Sequence, residues 1–241
     1  MEKASSANFN VLLLSIYAAV GILLLGLWYG KSEAHGTPRN SKRPLSEKPL
    51  ALVSGVILFS IGMQYLCDYL VGLLSMVFPS WLEEYDQLME QVGLSTEITV
   101  TLVLYSVILA PICEELAFRG LAFGYGRNLM SFWKANIVQA LLFAGFHMNP
   151  LQASYAFVLG LFLGYFVEKS GRLWLSIIIH IAFNAAGVFG QAIAVDVDTP
   201  AAFFLLLFGT LVACYVGMEL IVRFLPEKPK DEKAEMTELE M

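Results

Sequence analysis

Apolar runs of about 18 residues or more recur along the whole chain, and they limit the folds that it can adopt. Hydrophobic residues make up 57% of the 241-residue sequence, and charged residues make up only 15%. A soluble domain carries about 25% charged residues. The alternating pattern of membrane-facing strands is absent from the sequence. These features predict an all-α fold, a polytopic bundle of transmembrane helices.

The apolar runs define about seven membrane segments. The predicted segments are Phe9–Tyr29, Leu50–Phe78, Ile98–Phe123, Phe132–His147, Gln152–Glu168, Leu173–Ala194 and Ala201–Leu225. They divide the chain into four regions: membrane helices with a basic loop and an amphipathic stretch over 1–97, a helical core over 98–194, a last membrane helix over 195–225, and a charged tail over 226–241. The tail is expected to be disordered because it lacks core residues.

Lys and Arg are concentrated in alternate loops, which sets the expected orientation in the membrane. They follow the first, third, fifth and seventh segments, and none occurs in the loops Pro79–Glu97, Met148–Leu151 and Gln191–Pro200. Basic loops stay in the cytoplasm. We therefore expect an integral multi-pass protein with its N-terminus outside and its C-terminus in the cytoplasm.

The loop after the second segment is acidic and amphipathic. Trp81, Tyr85, Leu88 and Val92 recur at helical spacing among acidic residues. This pattern predicts an interfacial helix on the outer surface, with a plain solvated loop as the alternative.

The remaining composition excludes other classes of protein. No basic patch with interleaved aromatic residues appears, so nothing indicates a nucleic-acid partner. Cys67, Cys113 and Cys214 all lie in apolar segments without short spacing, which predicts buried thiols rather than disulfides or a zinc knuckle.

Two adjacent glutamates interrupt the third apolar run, Ile98–Phe123. Each carboxylate near mid-bilayer costs about 2.5–3.5 kcal/mol to insert, so Glu114 and Glu115 indicate a functional site. Glu115 and Arg119 are four residues apart on one helical face and can form an ion pair. Glu114 is rotated by about 100° and can face a cavity. Pro111, one turn earlier, frees a backbone carbonyl there.

Three further polar side chains lie in the neighbouring segments. His147 ends the fourth segment, and His180 and Asn184 share one face of the sixth. A carboxylate and two imidazoles around a wet cavity can deprotonate water and stabilise a tetrahedral intermediate, with the Asn184 amide as a donor. Alternatively, Glu114, His147 and His180 can hold Zn²⁺ as a catalytic set. Cys113 is not expected to act as a nucleophile.

The motifs EExxxR, FxxxH and HxxxN follow one another on successive apolar segments. In this order they resemble the CPBP family, the CAAX-protease and bacteriocin-processing intramembrane endopeptidases, also called the Abi family or Rce1-like type II CAAX proteases. The similarity covers about Ile98–Gly190. The matching residues are Glu114, Glu115, Arg119, Phe143, His147, His180 and Asn184. The resemblance implies hydrolysis of a peptide bond in a membrane-associated peptide or protein tail.

The resemblance also implies roles for these residues. Glu114 resembles the residue that activates water, with His147 as its partner. His180 and Asn184 resemble the groups that bind the oxyanion and orient the substrate. The residues that look structural are Glu115, Arg119 and Phe143.

The resemblance does not decide whether a metal cofactor is required. The family has been described both as metalloproteases and as glutamate-dependent proteases without metal. No HExxH motif is present, and ligands on three helices are less preorganised than two on one helix. We therefore expect that no cofactor is required, with Zn²⁺ as the alternative.

The sequence is also compatible with two other classes of function. One is a non-catalytic membrane immunity or scaffold protein that keeps the pocket. The other is an ion-coupled transporter with a Glu–His relay, which is less favoured because no internal repeat is evident. The sequence is equally compatible with a CAAX-type tail and with a leader or bacteriocin peptide as substrate.

The predicted segment ends also place the site in depth. Glu114 precedes the expected end of its helix at Phe123 by nine residues, and His180 follows the start of its own by seven. Both then lie roughly 10–14 Å below the inner boundary, so the cavity should open toward the cytoplasmic half. His147 fits this depth if its helix ends within the membrane before Pro150.

Overall fold

The computed structural model describes residues 2–32, 48–91, 98–190, 199–223 and 225, with side chains from residue 9 onward. These residues contain no strand, which confirms the predicted all-α membrane bundle. The described residues form eight helices: α1 Glu2–Lys31, α2 Pro49–Val77, α3 Pro79–Gln91, α4 Val100–Leu129, α5 Phe132–Phe146, α6 Pro150–Ser170, α7 Leu173–Gly190 and α8 Pro200–Arg223.

Six helices of the described chain are long and apolar enough to cross a membrane: α1 from Phe9, α2, α4, α6, α7 and α8. The fourth predicted segment is also helical, but α5 has only 15 residues. A helix of that length measures about 22 Å, which is shorter than the apolar thickness of a bilayer, about 30 Å. It is shorter than the six helices that are long enough to cross a membrane.

The predicted end of the third segment at Phe123 is wrong, because α4 continues to Leu129. The glycines near this end of the segment, Gly120, Gly124 and Gly126, are typical of a turn. In the structure, however, Gly120 lies inside the helix. A Cβ built on Gly120 would lie 3.1 Å from the Tyr29 ring, so the glycine permits a close contact between α1 and α4. Tertiary packing here overrides the low helix propensity of glycine.

Several other expectations fall partly outside the described residues. The amphipathic stretch is a helix over Pro79–Gln91, with a half-buried face that includes Tyr85 and Leu88, and α3 packs against α2 and α6. The expectations for Val92, the end of the sixth segment beyond Gly190 and the tail over 226–241 lie outside the described residues.

The helices pack around α7 and α2. α2 pairs along its length with α8 and also contacts α6 and α7, while α4 contacts α1, α5 and α7. Side chains from three helices fill the centre completely buried: Phe59, Met63, Leu163, Phe166 and Ile179. Burying apolar side chains of this size contributes about 1.5–3 kcal/mol each where water is the alternative.

A tight turn joins α5 and α6 into a hairpin. Met148 adopts a left-handed backbone with φ of 54°, and the Asn149 side chain accepts a hydrogen bond from the Gln152 N–H. Pro150 then occupies the first turn of α6, where its missing N–H costs nothing. α5 therefore ends at Phe146, directly before His147.

Polar side chains hold this hairpin together in the apolar bundle. The Asn136 amide donates to the Leu161 carbonyl at 3.0 Å, and the Gln139 amide donates to the Gly160 carbonyl at 2.8 Å. Gly164 leaves space for both amides, since a Cβ there would collide with the Asn136 side chain. Small residues thus allow close packing of helices, as is common in membranes.

α4 contains two wide, π-helical turns, Leu104–Leu109 and Leu116–Ala122. In the first, the Ala110 N–H donates to the Tyr105 carbonyl, five residues back. The next carbonyl in this pattern, that of Ser106, would pair with residue 111, which is a proline without an N–H. The Ser106 carbonyl is therefore left without a partner within its own helix.

Candidate active site

The two glutamates of α4 face different surroundings. The Glu115 side chain is fully buried, whereas the Glu114 side chain keeps 16% of its surface exposed. Consecutive residues on a helix are about 100° apart, so one carboxylate can be enclosed by protein while its neighbour borders a cavity.

Glu115 forms the expected ion pair with Arg119. The Arg119 Nη1 donates to Glu115 Oε1 at 2.8 Å, and both side chains are completely buried. The guanidinium also lies over the Phe143 ring, with its carbon 4.2 Å from the ring centroid. A cation over an aromatic face is stabilised electrostatically, so Phe143 contributes more to this site than apolar packing.

His180 joins the two glutamates. Its Nδ1 lies 2.9 Å from Glu115 Oε1, and its Nε2 lies 3.7 Å from Glu114 Oε2. Because Glu115 is ionised beside Arg119, we assign the proton to Nδ1, which then donates to Glu115. This bond fixes the orientation of the ring and directs Nε2 at Glu114. Residue spacing predicts only the pair of Glu115 with Arg119, because the contact with His180 depends on how α4 and α7 pack together.

His147 lies at the end of α5, beside the same cluster. Its Nδ1 is 2.9 Å from the Phe143 carbonyl oxygen, so Nδ1–H donates to the main chain and Nε2 is left as an acceptor. The ring meets Phe143 edge-on, with centroids 4.9 Å apart. His147 lies near enough to Glu114 for their charges to interact. The sequence predicts His147 as the partner of Glu114, and the structure also brings His180 Nε2 to 3.7 Å from the Glu114 carboxylate.

Asn184 contacts the backbone of α4. Its Nδ2 donates to the Ser106 carbonyl at 2.8 Å. This is the carbonyl that the wide turn and Pro111 leave without a helical partner, so the asparagine satisfies it. One N–H of the amide is thereby occupied, and the second is still available for a substrate oxyanion. Pro111 was the sequence signal for this contact, although it does not reveal which side chain responds.

The candidate zinc ligands do not form a metal site in this arrangement. Within the described residues, no three His, Cys, Asp or Glu side chains lie together in a geometry that could hold a metal ion. His180 Nδ1 lies 2.9 Å from Glu115 Oε1, within hydrogen-bonding distance, whereas Nε2 lies 3.7 Å from Glu114 Oε2, which is too long for a hydrogen bond. As placed in the structure, Glu114, His147 and His180 are not grouped as three ligands of one ion.

A contact between α4 and α7 shows how far along each helix the candidate site lies. Gly120 packs against Leu173, the first residue of α7, which places the two at the same level. Glu114 lies six residues from Gly120 and His180 lies seven from Leu173, so they are about 9 and 10.5 Å from that level. Measured along either helix, the site therefore lies at a similar distance from the level of Gly120 and Leu173. This holds even though α4 ends later than predicted.

A comparison with protein families identifies this part of the chain. Residues 96–186 match the family described as Type II CAAX prenyl endopeptidase Rce1-like. This stretch of the chain is similar to that family. The predicted resemblance is therefore confirmed, and the matched residues include every candidate site residue from Glu114 to Asn184. Neither the curated proteins nor the solved structures contain a significant match.

The Rce1-like match supports a protease, and so a hydrolase. The six apolar helices of the described residues fit an integral multi-pass membrane protein.

Proposed function

We propose that the protein is an intramembrane endopeptidase that hydrolyses a peptide bond in a membrane-associated peptide or protein tail. The observation that carries this proposal is the partly exposed Glu114 carboxylate, 3.7 Å from the Nε2 of a histidine that is itself held by Glu115. A carboxylate beside an oriented imidazole inside a bilayer is costly to maintain and suited to proton transfer.

In the proposed mechanism, Glu114 is the general base. It takes a proton from water, and the water oxygen attacks the carbonyl carbon of the substrate. The C–N bond then breaks, and Glu114 delivers its proton to the leaving amine. The unprotonated Nε2 of His147 accepts the second hydrogen bond of the same water, which orients its lone pair toward the substrate.

His180 and Asn184 would stabilise the oxyanion of the tetrahedral intermediate. For this role His180 Nε2 first takes up a proton from solvent water, and the resulting imidazolium, which the buried Glu115 stabilises through Nδ1, donates to the oxyanion. The free N–H of Asn184 is the second donor. Arg119 and Phe143 position Glu115 and do not contact the substrate.

No metal takes part in this mechanism. Elemental analysis of the purified protein, with activity measured after exhaustive chelation, tests this point. One tightly held zinc per chain, with activity lost on its removal and regained on its return, would replace the proposal with a metalloprotease mechanism.

The substrate class is proposed from the Rce1-like match and from the position of the candidate site in the membrane. A CAAX-type C-terminal tail reaches the site from the cytoplasmic half, about 10 Å away. A leader or bacteriocin peptide is the second substrate class. Peptides of both classes, with and without a prenyl group, are the appropriate probes.

The deciding experiment compares Glu114→Gln with the wild type in lipid vesicles, using mass spectrometry to detect both cleavage fragments. Glu114→Gln removes the base and keeps the side-chain volume, so cleavage should fall by at least about 100-fold. Glu219→Gln is the matched control, because Glu219 is exposed on α8, which packs against α2. Cleavage by purified Glu114→Gln at the wild-type rate would refute the base role. A wild type that cleaves none of the probes would favour the scaffold alternative.

A further inference from the structure

A second polar pair lies on α2, outside the candidate active site. The Gln64 amide donates to the Asp68 carboxylate at 3.1 Å, one turn along the helix. Asp68 is exposed, although it lies nine residues inside the end of an apolar helix. Among the described residues, no basic side chain forms an ion pair with Asp68. A carboxylate in such a position requires water or a cation as a partner.

This pair is adjacent to the face of α7 that carries the active site. A Cβ built on Gly187 would lie 3.1 Å from Gln64 Oε1, so the glycine makes room for the amide. Gly187 follows His180 by seven residues, and such residues point in nearly the same direction, within about 20°. Gln64 therefore sits two turns along α7 from His180, on the same interior face.

The separation along α7 corresponds to a short stretch of peptide. Seven helical residues cover about 10.5 Å. An extended chain advances about 3.3 Å per residue, so this distance matches three residues of a bound substrate. A peptide placed with its scissile bond at Glu114 and His180 would bring a residue three positions away to the Gln64–Asp68 pair.

The charges around Asp68 favour a cationic occupant. The exposed residues of the neighbouring α3 include Glu83, Glu84 and Asp86, and α3 contains no Lys or Arg. Tyr85 on the inner face of α3 lies close enough to Asp68 for their charges to interact. Burial raises the pKa of the Tyr85 hydroxyl, which is hydrogen-bonded to Tyr155, so it stays neutral and adds no competing charge.

We propose that Gln64 and Asp68 form a substrate subsite that binds a Lys or Arg side chain about three residues from the cleaved bond. Asp68 supplies the charge, and the Gln64 carbonyl oxygen contacts the peptide. The inference deepens the proposed function and rests on it for the position of the scissile bond. It assigns a role to a carboxylate that the hydrolytic mechanism does not use.

A binding experiment tests the subsite without requiring cleavage. The full chain carrying Glu114→Gln is placed in lipid nanodiscs and titrated with N-acetylated ten-residue apolar peptides. Each peptide carries one Lys, one Glu or one norleucine at a defined position. Lys peptides should bind about fivefold more tightly than norleucine peptides at one register, the upper range for an exposed ion pair.

Three further variants in the same background identify the residue responsible. Asp68→Asn keeps an acceptor for the Gln64 amide but removes the charge, so the preference for Lys should disappear. Asp68→Lys should shift the preference to Glu peptides. Asp86→Asn removes one carboxylate from the neighbouring α3 and should leave the preference within twofold, because a general field effect is spread over several charges.

Several outcomes would overturn the subsite. These are equal binding of Lys and norleucine peptides, a Lys preference that survives Asp68→Asn, an equal loss with Asp86→Asn, and no binding by any peptide. Cleavage by the wild type is scored separately and reports on the proposed function. Failure of catalysis and failure of the subsite are therefore distinguishable.

Discussion

Removal of Arg119 should destabilise the protein because it isolates a buried carboxylate. Arg119 and Glu115 are both completely inaccessible to solvent, and the measured bond between them is 2.8 Å. Arg119→Ala removes the cation that pairs with Glu115 and opens space beside Phe143. Breaking one side of a buried ion pair costs about 3–5 kcal/mol. For a chain of this size, that corresponds to a lower midpoint of thermal unfolding by about 10 °C.

Intrinsic tryptophan fluorescence during heating in detergent measures this midpoint. The double variant Arg119→Ala with Glu115→Gln is the informative control, because it removes the isolated charge. It should be more stable than Arg119→Ala alone, so the two changes should not add. An unchanged midpoint for Arg119→Ala would show that Arg119 faces water or substrate. Additive losses in the double variant would refute the ion-pair argument even if the single variant is destabilised.

Three other predictions follow from the helix contacts. Asn184→Ala should lower the free energy of unfolding by about 1–3 kcal/mol, because it leaves the Ser106 carbonyl unpaired. Adding Pro111→Ala should recover part of that loss, because it restores a backbone N–H. Additive destabilisation by the two changes would contradict this explanation. Gly164→Ala should weaken the α5–α6 hairpin, seen as faster proteolysis, whereas Gly145→Ala, with open space around its Cβ position, should not. A cysteine at position 235 should react with impermeant thiol reagents only from the cytoplasmic side. α5 and α6 return the chain to the side on which Arg127 binds Glu168, and the basic loops assign that side to the cytoplasm. Labelling from outside would reverse the proposed orientation.

The positions of the site residues were predictable because ionisable groups are rare in apolar runs. Glu114, Glu115 and His180 are visible in the sequence for that reason. The spacing of Glu115 and Arg119 also predicts their ion pair, since both lie on one helix and no tertiary information is needed.

Contacts between helices were not predictable in the same way. The bond between His180 and Glu115 depends on how α4 and α7 are rotated about their axes. Wide turns change that rotation, and the sequence signal for them is weak. The same limit applies to the bond from Asn184 to the backbone of Ser106, which the sequence does not predict.

Asp68 was missed for a different reason. It lies within the predicted segment Leu50–Phe78, so the rule that identified Glu114 applies to it equally. It lacks a basic residue one turn away, and it belongs to no motif. Its significance depends on Gly187, a residue on another helix that is distant in the sequence.

The wide turn at Leu104–Leu109 makes the site sensitive to chain length as well as to residue identity. It holds one residue more than a regular turn would. Because the wide turn absorbs its extra residue locally, deleting one residue there would restore ordinary winding while the flanking stretches keep their direction, and the carbonyls of the turn itself would be redirected. The carbonyl that Asn184 binds would then point elsewhere, although each side chain of the site would still be present. Variants that exchange side chains within this turn should therefore be better tolerated than variants that change its number of residues.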